Sequence, residues 1–119
     1  MARRVRRGDL WMHRFAAPDR RRPVLVLTRQ VMVNRLHTVT VAPITSTIRG
    51  MPTEVRVGIM HGLKHDSVVN LDHIQTVQRS DLHRWLGRLG PGRMFDVCRA
   101  LTVALGCEAG MAREESWIL

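Results

Sequence analysis

Apolar residues along most of this chain occur in short runs whose lengths and spacing are typical of β-strands. The segment RPVLVLTR at 22–29 holds a continuous apolar run that suits a buried strand, and TVTVAPI at 38–44 is rich in β-branched residues. In TEVRVG at 53–58 apolar and polar residues alternate, so Val55 and Val57 should share one face. The pattern predicts strands at 8–15, 22–29, 38–44, 53–58, 67–78 and 84–90.

Helical periodicity appears only near the end of the chain. The apolar residues Met94, Val97, Cys98, Leu101 and Leu105 recur at helical spacing, with glycines on both sides as start and stop signals. This spacing predicts a helix of about four turns, with Cys98 on its apolar stripe as an inert core thiol. Many short strands followed by one helix are typical of a small barrel or a strongly bent sheet.

Length and composition indicate a folded globular chain. With 119 residues, 45% of them hydrophobic, and no linker, we expect a single domain over 1–119, with a basic arm at 1–6 and a tail at 107–119. No apolar stretch approaches the ~20 residues of a membrane-spanning helix. The N-terminal charges are not followed by the apolar run of a signal peptide, so we expect a cytoplasmic protein without a membrane partner.

Arginine dominates the charge of the chain. The formal net charge is +9, Lys64 is the single lysine, and arginines cluster at 3–7 and 20–22. Arginine binds phosphate through paired hydrogen bonds, so a polyanion such as nucleic acid is one candidate partner. A solvated surface or an acidic protein partner would explain the same charge, and composition does not decide among these three.

The motifs of metal, nucleotide and serine-hydrolase sites are missing, so we expect neither a metal nor a cofactor. A different chemistry is offered where the run at 38–44 ends on Thr45, Ser46 and Thr47. In the other buried segment, Arg22 stands immediately before Pro23 and the apolar run that follows it. If the two strands are neighbours, a guanidinium and several hydroxyls would converge and could bind a phosphate. A turn in which the hydroxyls bind backbone groups is the alternative.

Five motifs occur in the order found in MazF/PemK-type toxins, the mRNA interferases of bacterial toxin–antitoxin modules. The chain resembles that family through RRGDLW (6–11), RRPVLVLT (21–28), VTVAPITSTIRGMPTEV (39–55), DSVVNLDHIQTV (66–77) and GRL (87–89) with the ALTVALG helix (100–106). The resemblance implies a mainly β, SH3-like barrel of the CcdB/PemK type with a C-terminal α-helix, assembled as a homodimer. It also implies metal-independent cleavage of single-stranded RNA (mRNA, possibly tRNA or rRNA) and control by an antitoxin with an acidic, flexible segment.

The resemblance assigns roles to individual residues. Its catalytic pair falls on Arg22 and Thr45, and either His65 or His73 is an alternative general base. The RNA contacts that we expect are Arg21, Ser46, Thr47, Arg49, Met51, Ser67, Asp72 and His73.

The sequence departs from the family pattern at three places. The loop at 16–21 is short, position 73 is His where Gln is common, and the tail extends beyond the usual helix end. Because toxins of the same fold that bind DNA gyrase without cutting RNA depend on a C-terminal Trp, Trp117 keeps a non-catalytic toxin open as the alternative function.

Overall fold

The computed structural model of the chain describes residues 3–14 and 21–107. Residues 16–20 of the short loop lie outside these described residues. The tail after residue 107, with Trp117, also lies outside them, so the expectations for both segments stay predictions.

Within the described residues, most of the regular structure is β-strand. The strands are Asp9–Arg14 (β1), Arg21–Val26 (β2), Thr38–Thr45 (β3), Glu54–Val57 (β4), Ser67–Asn70 (β5), Gln75–Gln78 (β6) and Leu82–Arg88 (β7). The α-helices are Gln30–Val33 (α1) and Pro91–Leu105 (α2). Short 3₁₀ turns occur at Ile59–His61, Leu71–His73 and Arg79–Asp81.

All strands of the sheet are antiparallel, in the order β4-β5-β3-β2-β1-β7, and β6 also pairs with β3. The long strand β3 organises the sheet, because β2 lies along one edge while β6 and β5 lie one after the other along the opposite edge. The expected fold is confirmed: a mainly β, SH3-like barrel with a C-terminal helix.

Two hydrophobic clusters cover the two faces of this sheet. One contains Leu25, Ala42 and Ile44 and is covered by α2, which contributes Val97 and Ala100. The other lies on the opposite face under α1 and the N-terminal segment. It contains Val5, Trp11, Val24, Val26, Val33, Val39, Val41 and Leu82. The continuous apolar run in β2 follows from this arrangement, since successive side chains enter different clusters.

The single long strand predicted at 67–78 is wrong. The 3₁₀ turn Leu71–His73 divides it into β5 and β6, and the Asn70 side chain accepts a 2.9 Å hydrogen bond from the Asp72 backbone N–H. Asn favours such local hydrogen bonds over a strand ladder. The last strand also begins at Leu82, two residues before the predicted start, and the short helix α1 was not predicted at all.

The predicted C-terminal helix is confirmed, but the prediction for Cys98 is wrong. Gly90 caps α2, Pro91 occupies its first turn and Gly106, with a φ of 69°, ends it in the left-handed conformation that glycine tolerates. The buried stripe is centred on Val97 and Ala100, so Cys98 turns away from the sheet and is exposed. No helix in the described part of the chain is long and apolar enough to cross a membrane.

The N-terminal segment is fastened to the sheet through Asp9, whose side chain is fully buried. Its carboxylate accepts hydrogen bonds from the Arg6 backbone N–H at 2.9 Å, from Trp11 Nε1 at 3.2 Å and from Arg88 Nε at 2.9 Å. A buried carboxylate needs such partners. These bonds keep residues 3–8 close to the β1 and β7 edge of the barrel.

Candidate functional site

Arg22 and Thr45 are brought together by the pairing of β2 with β3. The observed partners are Val24 with Pro43 and Leu25 with Ala42. Arg22 and Thr45 lie beyond this paired stretch, at the same end of the two strands, and line the same two cavities. The two strands are neighbours, as the hypothesis of a shared site required, and the binding role of Arg22 and Thr45 stays a prediction.

Both residues lie on the wall between two neighbouring cavities. The first has a volume of about 490 Å³ and is lined by Arg22, Pro43, Ile44, Thr45, Thr47, Arg49, Glu54, Asn70, His73 and Gln75. The second has a volume of about 600 Å³ and is also lined by Arg22, Ile44 and Thr45. A strand of nucleotides that spanned both cavities would cross the Arg22 and Thr45 side chains.

The Thr45 hydroxyl takes part in a turn, and Thr45 also lines both cavities. Its oxygen accepts a 3.1 Å hydrogen bond from the Thr47 backbone N–H, as the turn interpretation of the sequence requires. A hydroxyl also has one proton to donate. Thr45 can therefore satisfy the turn and donate to an acceptor oxygen in the cavity, so the two interpretations of this cluster are compatible.

Glu54 shapes the loop that closes the first cavity. Its carboxylate accepts hydrogen bonds from three successive backbone N–H groups, those of Arg49 at 3.1 Å, Gly50 at 2.9 Å and Met51 at 3.3 Å. Gly50 adopts a φ of 74°, which suits glycine in a tight turn. The Arg49 side chain lines the cavity as a result.

His73 enters the first cavity from the 3₁₀ turn that follows β5. Its Nδ1 lies 3.3 Å from Asn70 Nδ2, and the Asn70 amide oxygen holds the turn through the Asp72 backbone. An Asn70 amide that donates to Nδ1 leaves Nε2 carrying the proton of a neutral ring. In that tautomer His73 would donate, rather than accept, at its far nitrogen.

The second cavity carries more of the cations. In addition to the residues shared with the first, its lining includes Met12, Arg21, Pro23, Ser46, Gly62, Leu63, Lys64, His65, Ser67, Arg84 and Leu86. The Ser67 hydroxyl is used within the protein, since it donates to the His65 backbone carbonyl at 3.1 Å. This bond holds His65 in the wall of the cavity next to β5.

Two of the predicted RNA contacts, Asp72 and Met51, line neither cavity. The Asp72 carboxylate accepts a 2.6 Å hydrogen bond from the Thr53 hydroxyl, which ties the 3₁₀ turn to the start of β4. Met51 stands at the tip of the loop held by Glu54, with half of its surface exposed. The other predicted residues, Arg21, Arg22, Thr45, Ser46, Thr47, Arg49, Ser67 and His73, line one cavity or both.

Positive charge dominates this part of the surface. Among the residues that the structure describes, Glu54 is the one acidic side chain in the two linings, and its carboxylate is occupied by the loop amides. The neighbouring histidine His83 responds to the charge: its pKa is lowered, first by partial desolvation and then by Arg14, Arg21 and Arg84. Among the described residues, no cluster of three or more His, Cys, Asp or Glu side chains could hold a metal ion.

Sequence inspection missed several residues of the site. Glu54 had the pattern of an ordinary polar strand position, and its contacts to the loop at 49–51 depend on the turn before β4. Asn70 and Gln75 enter the cavity because the chain turns between β5 and β6. Lys64 and Arg84 belong to distant segments, and charge alone gave no signal of their convergence.

Comparisons with known proteins agree on one group of relatives. Residues 6–105 match the family described as PemK-like, MazF-like toxin of type II toxin-antitoxin system. The chain is 38% identical over 104 residues to the probable endoribonuclease MazF2 of Mycobacterium tuberculosis, which covers 87% of this chain and 100% of that relative. It is 52% identical over 75 residues to the endoribonuclease MazF3 of the same organism, covering 63% and 73%.

Solved structures that are similar to this chain belong to the same group of relatives. The Mycobacterium tuberculosis toxin MazF-mt6 superposes with a TM-score of 0.75 at 40% identity, covering 82% of this chain and 95% of that one. An endoribonuclease in complex with its cognate antitoxin, from a mycobacterial species, superposes with a TM-score of 0.77 at 27% identity, covering 87% and 97%.

Proposed function

Because the chain belongs to the PemK-like, MazF-like toxins of type II toxin–antitoxin systems, we propose that it is an endoribonuclease that cuts single-stranded RNA and so inhibits translation and growth. The observation that carries this proposal is the position of Arg22 and Thr45 on the wall shared by two cationic cavities. The relatives named endoribonuclease add support.

Cleavage uses the 2′-hydroxyl of the RNA as its nucleophile. The 2′ oxygen attacks the adjacent phosphorus, the bond from phosphorus to the 5′ oxygen breaks, and the products carry a 2′,3′-cyclic phosphate and a 5′-hydroxyl. The 2′-hydroxyl loses a proton to a base, and the leaving 5′ oxygen gains one from an acid. The protein must align the attack, stabilise the developing charge on the phosphate and move these two protons.

Arg22 and Thr45 would stabilise the charge in this step. The Arg22 guanidinium binds the non-bridging oxygens by charge-assisted hydrogen bonds and can donate toward the leaving oxygen. The Thr45 hydroxyl donates its free proton to the same phosphate. Both positions suit donors that act on a phosphate crossing the wall between the cavities.

The base that receives the 2′-hydroxyl proton is harder to assign to Arg22. A guanidinium has a pKa above about 12 and is almost always protonated. His65 in the second cavity is chemically a better base. His73 in the first cavity is one only in the tautomer whose Nε2 carries no proton. We propose Arg22 as the residue that binds the phosphate and protonates the leaving group, with His65 and His73 as candidates for the base.

RNA binding would involve the contacts predicted from the sequence. Arg21, Thr47 and Arg49 offer cations and a hydroxyl at the cavities, and His73 could stack on a base or donate to it. The further members of this proposed set are Ser46, Met51, Ser67 and Asp72. Asp72 and Met51 depend on the resemblance alone.

The regulatory partner that we propose is an antitoxin with an acidic, flexible segment, and the assembly is a homodimer in the cytoplasm. The complex of a mycobacterial endoribonuclease with its cognate antitoxin supports the first point. Exposed apolar side chains, such as Met60 at 93% and Ile59 at 74%, support a protein contact. Sedimentation of a species with the 13.6 kDa mass of one chain at micromolar concentration would contradict the dimer.

A non-catalytic toxin that binds DNA gyrase is the alternative. The named endoribonuclease relatives favour catalysis over it. The decisive experiment incubates purified protein with a library of single-stranded RNA in EDTA and sequences the 5′-hydroxyl ends. Cleavage at a short recurring sequence would support the proposal, and a strict need for added divalent metal would contradict the metal-independent mechanism. A preparation that leaves RNA intact but inhibits gyrase would support the alternative.

A further inference from the structure

A third cavity lies beside the candidate site, on the β1 and β7 side of the barrel. Its volume is about 640 Å³. Its lining includes Arg3, Arg4, Arg79, Arg84, Trp11 and Trp85. The site proposed for cleavage uses none of these residues except Arg84, which also lines the second cavity.

The lining is cationic and contains no Asp or Glu among the described residues. Arg79 is occupied within the protein, where it donates to the Val33 carbonyl at 2.7 Å. Arg3, Arg4 and Arg84 are exposed, so they can neutralise phosphates. The buried bonds of Asp9 keep the N-terminal arginines beside this cavity.

A flat aromatic surface accompanies these cations. The Arg3 guanidinium carbon lies 3.8 Å from the centre of the Trp85 ring, which is the geometry of a cation–π contact. A nucleobase is also planar and stacks on tryptophan or on a guanidinium plane. Trp85 is partly buried against the core and is covered in part by Arg3. Arginines beside a partly exposed ring are a combination with which proteins bind single-stranded nucleic acid.

The third cavity continues the track formed by the first two. The first and second share Arg22 and Thr45, and the second and third share Arg84. In the sheet, Arg84 pairs with Met12, and Met12 pairs with Pro23 beside Arg22. With strands about 4.8 Å apart, β7 lies about 10 Å from β2, a distance that a short stretch of RNA easily spans.

We propose that the third cavity binds the RNA strand beyond the cleavage site, with Arg3, Arg4 and Arg84 on its phosphates and Trp85 stacked on a base. This inference rests on the proposed function, because it extends the path of the same substrate. Its effect is on affinity for long RNA rather than on the chemical step.

An acidic protein segment fits this cavity less well than RNA does. Such segments need apolar anchors, since exposed ion pairs alone contribute little affinity. The apolar residues of the lining, Val5, Trp11 and Leu82, are at most 7% exposed and belong to the hydrophobic core. Trp85, the remaining apolar residue of the lining, is partly exposed, with Arg3 over its ring. A flat ring paired with a guanidinium suits a base better than a peptide anchor.

The test measures binding of fluorescent single-stranded RNA whose 2′-hydroxyls are all methylated, so that no probe can be cut. Two lengths are used, about 5 and about 20 nucleotides, since one OB-type binding module spans ~4–16 nucleotides. The variant is Arg3→Ala/Arg4→Ala in the full chain. The control is Arg29→Ala/Arg99→Ala, which removes two exposed arginines that line none of the three cavities.

Arg3→Ala/Arg4→Ala should weaken binding of the long RNA by about tenfold and leave the short RNA unchanged. Loss of two phosphate contacts should also reduce the slope of log affinity against log salt by about 1.4. The control should change neither quantity for either length. Equal weakening of both lengths, or no difference from the control, would overturn the proposal. The proposal would also be overturned if Arg3→Ala/Arg4→Ala lost affinity for an acidic peptide but bound the long RNA as tightly as the parent does.

The stacking part is tested by altering the RNA and comparing the parent with a Trp85→Leu variant. Removing bases from the outer nucleotides of the long RNA should weaken binding several-fold in the parent, given about 1–3 kcal/mol per stacked base. The same change should have no effect in a folded Trp85→Leu variant. If base removal weakens binding in the parent but not in Trp85→Leu, the result supports stacking of a base on Trp85. An equal loss of affinity in both proteins excludes that stacking. Because the probes are not cut, a parent unable to cleave RNA would contradict the proposed activity alone.

Discussion

At the scale of single residues, Thr45 and Arg22 differ in how much their side chains contribute to the folded structure. The Thr45 oxygen accepts the Thr47 N–H, and the Thr45 side chain is half-buried at the end of β3. Arg22 is exposed at the second position of β2. Neither side chain belongs to the hydrophobic clusters, so each can be truncated with little expected loss of folding free energy.

Replacing either residue should therefore separate activity from stability. We expect Arg22→Ala or Thr45→Ala to lower the cleavage rate by about 10²-fold, the effect of losing one donor to a transition-state oxyanion. The melting temperature should stay close to that of the parent. Arg99→Ala, which removes an exposed helix arginine, is the control and should keep full activity. Full activity in both folded site variants would move the site elsewhere, with His65 as the next candidate.

His13 should make the stability of the protein depend on pH. Its side chain is 4% exposed, and burial lowers its pKa from the ordinary value of 6.5, with Asp81 acting to raise it and His83 to lower it. The unfolded chain therefore binds protons that the folded chain excludes. The free energy of unfolding should be highest above pH 6.5 and should fall as the pH drops below that value.

A variant without this imidazole tests the assignment. His13→Gln should reduce the fall in the free energy of unfolding between about pH 7.5 and about pH 5.5, measured by urea denaturation. His61 and His83 also have lowered pKa values, so part of the dependence should persist. The exposed His37 provides the matched control in His37→Gln. An unchanged pH dependence in His13→Gln would show that this residue does not titrate as described.

At the scale of elements, the loop between β3 and β4 depends on one carboxylate. Glu54 receives three backbone N–H groups of that loop, and hydrogen bonds to charged groups contribute more than neutral ones. We expect Glu54→Ala to speed hydrogen exchange of the amides at 49–51 by about tenfold or more. Asp96→Ala, which removes an exposed ion pair on α2, should leave those amides unchanged. Equal exchange in parent and Glu54→Ala would refute the role of Glu54.

The elements also show what the sequence could predict. Strands with clear apolar runs, such as β2 and β3, and the helix between Gly90 and Gly106 were predicted nearly to their ends, because burial and glycine leave direct signals. Short α1 has no side-chain cap and no full apolar stripe, so nothing marked it. The break at 71–73 depends on the Asn70 side chain bonding the backbone, which strand periodicity does not register.

The candidate site could also be predicted from the sequence only in part. Arg22 and Thr45 stood at strand ends, where the pattern left a phosphate site and a simple turn both open, and the family resemblance singled out this pair as candidates. Lys64 and Arg84 were not predictable, because they come from loops and strands far apart in the sequence. The prediction that Cys98 is buried was wrong because residue spacing alone does not decide which of two adjacent helix positions, such as Val97 and Cys98, faces the core.

At the scale of the whole molecule, the positive charge should govern how fast partners arrive. With a net charge of +9, the protein should associate with RNA and with an acidic antitoxin segment at rates that fall as salt rises. If both partners use the same groove, they should compete. Arg20→Glu/Arg21→Glu should slow association with both in stopped-flow mixing, whereas Arg99→Glu should slow it much less. An antitoxin that blocks cleavage but leaves RNA bound would rule out a shared groove.

The central claim is that the protein cuts RNA through the RNA's own 2′-hydroxyl at the Arg22 and Thr45 site. One measurement tests it most directly. Once the cleavage position is known, two otherwise identical single-stranded RNAs are compared in EDTA, one with a single 2′-deoxy sugar immediately before the cleaved phosphate. We predict that the all-ribose strand is cut to a 2′,3′-cyclic phosphate and a 5′-hydroxyl, while the 2′-deoxy strand binds but stays intact. Cleavage of both strands at the same rate would contradict the mechanism.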